Sequence, residues 1–462
     1  MSAFVVAYFP HLCLALGGLL VLCLSMVRSL PAGFYPATAG LFAALPGLWA
    51  VAGPQGGSPI ACFYAGLLSV IALATIGLLA RYAARRGFAG DALYGLLLWS
   101  ALGMLLLADA NDWIMLAVGL ELASLCLYAM IAARLDDNLG TEAALKYFLP
   151  GAMALAVLLF GMALIYAASG SMEIAASLAA PGPLTAAGLA LVLVGVGFKL
   201  SLAPVHLWTP DVYQGAPAPV AAFLSSGSKA AAAAALLHVC SEVSPEAKEL
   251  LWPALAVGAG LTMAVGNLGA VAQGSVKRLL AYSSIAQMGY ILMAAMALND
   301  GGGEAALFYL AAFALMDLAA FGAVGALSAE IGDRDDIAAY RGLGYVHPWR
   351  AGVLAIGLAS LAGLPPTAGF IGKFLVFGAA LSAGYVGLAA FGIITAVVGV
   401  FYALRLLAAL YMRESLIAHP AAVYAAGPAG TLALGVMAVG LVGLGLFPQT
   451  LLGAIAALFG GA

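Results

Sequence analysis

Charge is what this sequence has least of. Of its 462 residues 8% are Asp, Glu, Lys or Arg, and 65% are hydrophobic. Soluble domains carry about 25% charged residues, so a soluble globule is excluded. The 17 basic and 20 acidic side chains leave a net charge of −3, which offers nothing to a nucleic acid. Cysteine is scarce as well. Cys13, Cys23, Cys62, Cys126 and Cys240 lie apart in apolar stretches without a C-x-x-C pair. That spacing argues against metal or iron–sulfur ligation and against a disulfide framework. Neither G-x-x-x-x-G-K-[ST] nor a G-x-G-x-x-G turn after a strand occurs, so nothing here is built to hydrolyse a nucleotide. No basic residue precedes the first apolar run, MSAFVVAYFP onward, which therefore reads as a first transmembrane helix and not as a cleaved signal.

What fills the chain instead is hydrocarbon. Runs of about 20 apolar residues, enough to cross a bilayer, fall at 4–27, 33–52, 60–81, 91–109, 112–133, 142–168, 184–207, 217–240, 250–273, 276–298, 304–329, 350–382, 385–412 and 426–447. The expected fold is an all-α membrane protein of about fourteen spans. The tail 449–462 is short and apolar and carries no assigned role. Lys and Arg collect on cytoplasmic loops. With the N-terminus outside, the inner loops hold Arg28, Arg81, Arg85, Arg86, Arg134, Lys277, Arg278, Arg334, Arg341, Arg350 and Arg413, against Lys248 alone outside. Both termini are thus expected on the outer, periplasmic side. The largest soluble feature, EIGDRDDIAAYRGLGYVHPWR (330–350), is too small for a catalytic domain.

Proline interrupts two spans, the seventh at Pro204 and the twelfth at Gly363–Pro366. A proline within a spanning helix frees carbonyls that must find partners in protein or water. Each broken span is the fourth of a five-span block, spans 4–8 and 9–13, and a block of five starts and ends on opposite sides. The second block is therefore inverted, a pattern that points to a transport site near the midplane. The expected divisions are an N-terminal three-helix segment (1–90), a first five-helix repeat (91–240), an inverted second repeat (250–412) and a C-terminal helix with its tail (413–462).

Charges then stand out where none should be. Around the first break, GVGFKLSLAPVHLWTPDVYQGAPAPVAAFLSSGSK carries Lys199 and Lys229, each about half a span from either end. A cation at mid-bilayer costs about 2.5–3.5 kcal/mol even on a permissive scale, so such residues face the protein interior and mark ion or proton paths. Glu121 lies mid-span with Ser124 and Tyr128 on the same stripe, and pairing with Lys199 would relieve both charges. The structural alternative is a buried ion pair without a transport role. Lys373 follows the second break in LPPTAGFIGKFLVF. Asp317 in span 11 is a buried acid expected to partner Lys373 or Arg405. His206 and His238 are candidate relays, His238 being equally readable as a satisfied helix-end residue. Glu142 and Lys146 have the spacing of an ordinary helix-surface ion pair, or of an uptake charge near the inner side. Ser283, Gln287 and Tyr290 on span 10 form a polar face able to hold water, although helix–helix contacts use the same residues.

At FKLSLAPVHLWTPDVYQGAPAPV (198–220), VKRLLAYSSIAQMGY (276–290) and LAGLPPTAGFIGKF (361–374) the chain resembles the antiporter-like membrane subunits of respiratory complex I, NADH–quinone oxidoreductase, in their N-type branch. The resemblance covers essentially the whole chain. It implies that Glu121 matches the family's span-5 glutamate, Lys199 the span-7 lysine paired with it, Lys229 the bridging span-8 lysine and Lys373 the span-12 lysine. Together these would form a proton-translocating axis. The M-type usually has glutamate at the position of Lys373, and the L-type continues into a long lateral helix. Asp317 falls where a neutral polar residue is expected. The family holds no redox centre in this subunit. Quinone, flavin and iron–sulfur clusters belong to partners, which include other antiporter-like and quinone-site membrane subunits and lipid. The bacterial inner membrane is the implied location.

Three readings follow. The first is a proton-translocating subunit of NADH–quinone oxidoreductase, driven by quinone reduction elsewhere. The second is a subunit of a multi-subunit cation/proton antiporter without redox coupling. The third is a scaffold whose buried charges are structural.

Overall fold

The computed structural model describes residues 6–26, 30–31, 33–53, 58–86, 90–134, 137–179, 182–328, 332–412 and 426–459. Arg28 and Arg413, two of the cations used to orient the chain, lie outside the described residues, as do the ends of the first run and of the tail.

Helices cover every apolar run. They are α1 (Phe9–Ser25), α2 (Phe34–Val51), α3 (Pro59–Arg85), α4 (Gly90–Ala108), α5 (Trp113–Ile131) and α6 (Asn138–Ser169). The seventh run is divided into α7 (Pro183–Leu200) and α8 (Trp208–Gly215). The eighth starts as α9 (Ala218–Phe223), passes through one turn of π-helix (Leu224–Ser228), and continues as α10 (Lys229–Glu242). Then come α11 (Pro245–Val271), α12 (Val276–Met296) and α13 (Gly302–Leu327). The twelfth run is divided into α14 (Pro348–Ala362) and α15 (Ala368–Ser382), followed by α16 (Val386–Tyr411) and α17 (Pro428–Leu446). The tail, given no role, forms a further helix, α18 (Gln449–Phe459). No strand occurs among the described residues.

Local chemistry sets the ends. Ser58, Asp112, Asp137, Ser244 and Ser275 accept from the backbone N–H groups that open α3, α5, α6, α11 and α12, the orphan donors of a first turn. Proline stands in the first turn of α3, α7, α11, α14 and α17, where its missing N–H costs nothing.

The break in the seventh span is not made by Pro204. α7 ends at Leu200, and Ser201 takes the left-handed conformation with φ 60°. Ser201 N donates to Phe198 O and Leu202 N to Gly197 O. The second break has the same form: Gly363, φ 81°, donates to Ser360 O, and Leu364 N to Ala359 O. Paired backward bonds of this kind satisfy carbonyls at a helix end. Proline merely prevents resumption. Across the second break Gly369 lies so close to the Ser360 carbonyl that a methyl group there would collide with it.

The interior is carried by three elements. In α12, α13 and the run Ala218–Glu242, 94% of the spanning residues are buried, against 28–33% in α2, α6, α11 and α17. The latter show Leu, Val, Phe and Met outward, as lipid contact requires.

Two of the presumed loop charges turn out to be interior. Lys277 is buried and donates to Ala216 O at 2.7 Å and Asp333 at 3.1 Å. Arg86 pairs with Asp333 at 2.7 Å. The same carboxylate accepts from Tyr82 and from Ala218 N at the start of α9. The segment around Asp333 thus folds back, and its carboxylate is shared by the end of α3, the start of α9 and the start of α12.

Candidate functional site

Lys199 sits in the last turn of α7, 4% exposed. Its ammonium donates to Tyr147 Oη at 3.1 Å and lies 4.5 Å above the Tyr147 ring. The rings of Tyr128 and Phe198 stand 5.6 and 5.9 Å away. Aromatic faces attract a cation within about 6 Å, so an ammonium with no acid beside it is still held. The expected contact pair with Glu121 is absent among the described residues. Lys199 meets α5 at Tyr128, seven residues beyond Glu121, or about 10 Å along the axis. Glu121 itself is half-buried.

Lys229 opens α10 and is 1% exposed. It donates to Ser284 Oγ at 2.6 Å and lies 5.4 Å from the Tyr213 ring. Ser284 and Ser225 share a hydrogen bond of 2.9 Å, and Ser225 donates to Asp317. Asp317 is therefore linked to Lys229, and not to Lys373 or Arg405 as expected. Arg405 donates instead to the carbonyls of Val271 and Gln273, the end of α11, where cations are favoured.

The first two lysines are joined by stacked rings. Tyr147 stacks on Trp208 at 4.4 Å, and Trp208 meets Tyr213 edge-on at 6.3 Å. Lys199 faces the first ring and Lys229 the last.

Lys373, on α15, is 6% exposed. It donates at 2.7 Å to the Leu361 carbonyl beside the second break, and lies 5.4 Å from the Tyr290 ring. Gln287 donates to the same carbonyl at 3.2 Å and accepts from Tyr309. Tyr290 is held by Asn267 at 3.1 Å, and Ser283 accepts from Tyr402 at 2.9 Å. All three residues of the expected span-10 stripe are thus engaged by side chains or freed backbone.

The flanking candidates lie apart from this interior. Lys146 pairs with Glu142 at 2.6 Å, as its spacing predicts, and also with Asp211 at 2.8 Å. Asp211 pairs in turn with Arg278. Glu142, Lys146, Asp211 and Trp208 line a cavity of 590 Å³. His206, in the break after α7, is buried with no partner on Nδ1. His238 lines a second cavity, of 450 Å³, with Tyr64 and Glu304.

Sequence reading missed Tyr147, Ser225 and Ser284. Ser284 and Gln287 stand three apart on α12, a helical neighbour spacing that could have singled out Ser284. Tyr147 gave no signal. No group of three or more potential metal-binding side chains exists among the described residues.

Residues 110–399 match the family described as NADH:quinone oxidoreductase/Mrp antiporter, transmembrane. Over all 462 residues of both chains, the sequence is 97% identical to NADH-quinone oxidoreductase subunit N 1 of Solidesulfovibrio magneticus. It is 41% identical over 404 residues to NADH-quinone oxidoreductase subunit N of Geotalea uraniireducens, covering 86% of this chain and 84% of that one. A chain of respiratory complex I from Thermus thermophilus with bound aureothin superimposes with a TM-score of 0.83 at 38% identity, over 97% of this chain and 99% of the other. A chain of the Mrp complex from Dietzia sp. matches in fold, with a TM-score of 0.87 at 23% identity, over 100% and 98%.

Proposed function

The chain belongs to the NADH:quinone oxidoreductase/Mrp antiporter family of transmembrane subunits, and from that premise we propose that it translocates protons as the N-type membrane subunit of an NADH–quinone oxidoreductase. The antiporter reading is set aside because identity is 97%, 41% and 38% toward subunit N proteins and a complex I chain, against 23% toward the Mrp chain. The protein is a multi-pass protein of a bacterial inner membrane. Quinone, flavin and iron–sulfur chemistry belongs to partner subunits, and this chain contributes ionisable side chains.

One observation carries the proposal. Three lysines, none more than 6% exposed, have only aromatic rings, hydroxyls and a carbonyl as direct partners among the described residues, and α12 reaches two of them. In this reading a proton held on Lys199 passes through Lys229 to Lys373. Glu121, out of contact with Lys199, acts at a distance. A shift of its charge toward Lys199 would hold the proton, and a shift away would favour release from a desolvated amine.

The two five-helix repeats, 91–240 and 250–412, are read as inverted halves flanked by 1–90 and 413–462. The matched caps at Ser201 and Gly363 support this. With both termini periplasmic, the cavity at Glu142, Lys146 and Asp211 faces the cytoplasm as the uptake site, His206 lies beside Lys199's break, and His238 faces outward.

The test is Lys199→Ala in membrane vesicles containing the assembled complex. NADH oxidation and proton uptake are measured together. Unchanged protons per electron at retained oxidation rate would defeat the proposal.

A further inference from the structure

We propose that Lys229 and Asp317 are one proton-sharing unit, joined by the hydroxyls of Ser284 and Ser225. This deepens the proton-translocation reading and rests on it.

The chain of contacts is continuous. Lys229 Nζ donates to Ser284 Oγ at 2.6 Å, Ser284 and Ser225 share a bond of 2.9 Å, and Ser225 Oγ donates to Asp317 Oδ2. Lys229 is 1% exposed, and the other three residues are fully buried. Ser225 lies on the π-helical turn that precedes Lys229, a local widening that recurs at functional sites. Asp317 Oδ1 has no partner. Buried carboxylate oxygens are rarely left so, and an uncompensated buried charge is costly. No direct ion pair joins Lys229 to Asp317 among the described residues, so the serines are the link.

The transfer balances atom by atom. A proton leaves Lys229 Nζ for Ser284 Oγ as Ser284 gives its own to Ser225 Oγ and Ser225 gives its own to Asp317 Oδ2. The ammonium becomes an amine and the carboxylate a carboxylic acid. Both serines end as hydroxyls, and nothing is oxidised or reduced. The neutral form leaves Lys229 ready to take a proton from the Lys199 side without a second cation already present.

Vesicles holding the assembled complex provide the test. Ser225→Ala and Ser284→Ala keep both ionisable groups and cut the link. Protons per electron should fall as far as in Lys229→Ala, and Ser225→Thr, which restores the hydroxyl, should recover them. Infrared difference spectra during turnover should show a carboxylic-acid C=O band that moves in Asp317→Glu and vanishes in Asp317→Asn. Wild-type stoichiometry in both alanine variants, alongside a defective Lys229→Ala, overturns the unit and spares the wider reading. A normal Lys229→Ala overturns both. Should the alanine variants fail to assemble, the band decides: if it is absent from the unmodified complex or indifferent to Asp317→Glu, the unit is wrong.

Discussion

Ser284 and Gln287 stand one turn apart on the same face of α12, and each serves a different buried lysine. Ser284 accepts from Lys229 at 2.6 Å, while Gln287 donates to the Leu361 carbonyl that Lys373 also holds. Three residues of helix rise about 4.5 Å. One turn of α12 therefore joins the site of the eighth span to that of the twelfth.

Gln287→Leu should separate them. It strips Tyr309 of its acceptor and the Leu361 carbonyl of one donor, a buried loss of about 1–3 kcal/mol. The complex should assemble with a lower melting temperature and a reduced proton-to-electron ratio. Thermal unfolding and vesicle pumping measure the two effects separately.

Glu121→Gln distinguishes a working charge from scaffolding. Glu121 has no ion pair to lose among the described residues, so stability should change by less than about 1 kcal/mol. Pumping should fall at normal assembly. A scaffold role gives the reverse pattern, with less complex and intact activity per assembled complex.

Asp333→Asn should act on stability. The carboxyl is buried, which alone would raise its pKa, but the charges of Lys277 and Arg86 outweigh that and hold it below the ordinary carboxylate range. A group depressed in the folded state contributes stability above its unfolded pKa and loses it as pH falls through the folded one. The contribution is thus complete at neutral pH and disappears in acid below the normal carboxylate range. Removing the acid strands two buried cations, a cost of about 3–5 kcal/mol. Melting temperature against pH should show the wild-type advantage vanishing at the acid end.

Lys146→Met should spare the fold and slow uptake. Its pair with Glu142 is 45% and 56% exposed, and pairs so open to solvent add little to stability. Initial pumping rate should fall more than melting temperature. High salt should partly mimic the substitution in the wild type by screening.

Gly369→Ala should weaken the second break. Its new methyl group would meet the Ser360 carbonyl, and overpacking of this kind costs about 1–3 kcal/mol. Yield of assembled complex should drop, measured beside Gly378→Ala, whose methyl group meets open space.

Much of the architecture was legible because it is local. Each apolar run contains the hydrophobicity that makes it a span. The two interruptions announce themselves by proline, although the left-handed Ser201 that ends α7 does not. The lysines were conspicuous because the cost of a charge in hydrocarbon depends on its own position. The Glu142–Lys146 pair was legible for the same reason, being a contact between neighbours on one helix.

The chain by itself determined that apolar helices fill it, that two of its apolar runs are interrupted, and that Lys199, Lys229 and Lys373 lie within such runs. Only the packing of the helices decided that Lys199 meets Tyr147 and not Glu121, that Asp317 answers to Lys229, and that Asp333 gathers Arg86 and Lys277. The physical reason is distance along the chain. The partners are 52 residues apart for Lys199 and Tyr147, 55 for Lys229 and Ser284, and 92 for Ser225 and Asp317. No helical period reaches so far, and a polar atom buried in hydrocarbon takes whichever partner the neighbouring helix presents.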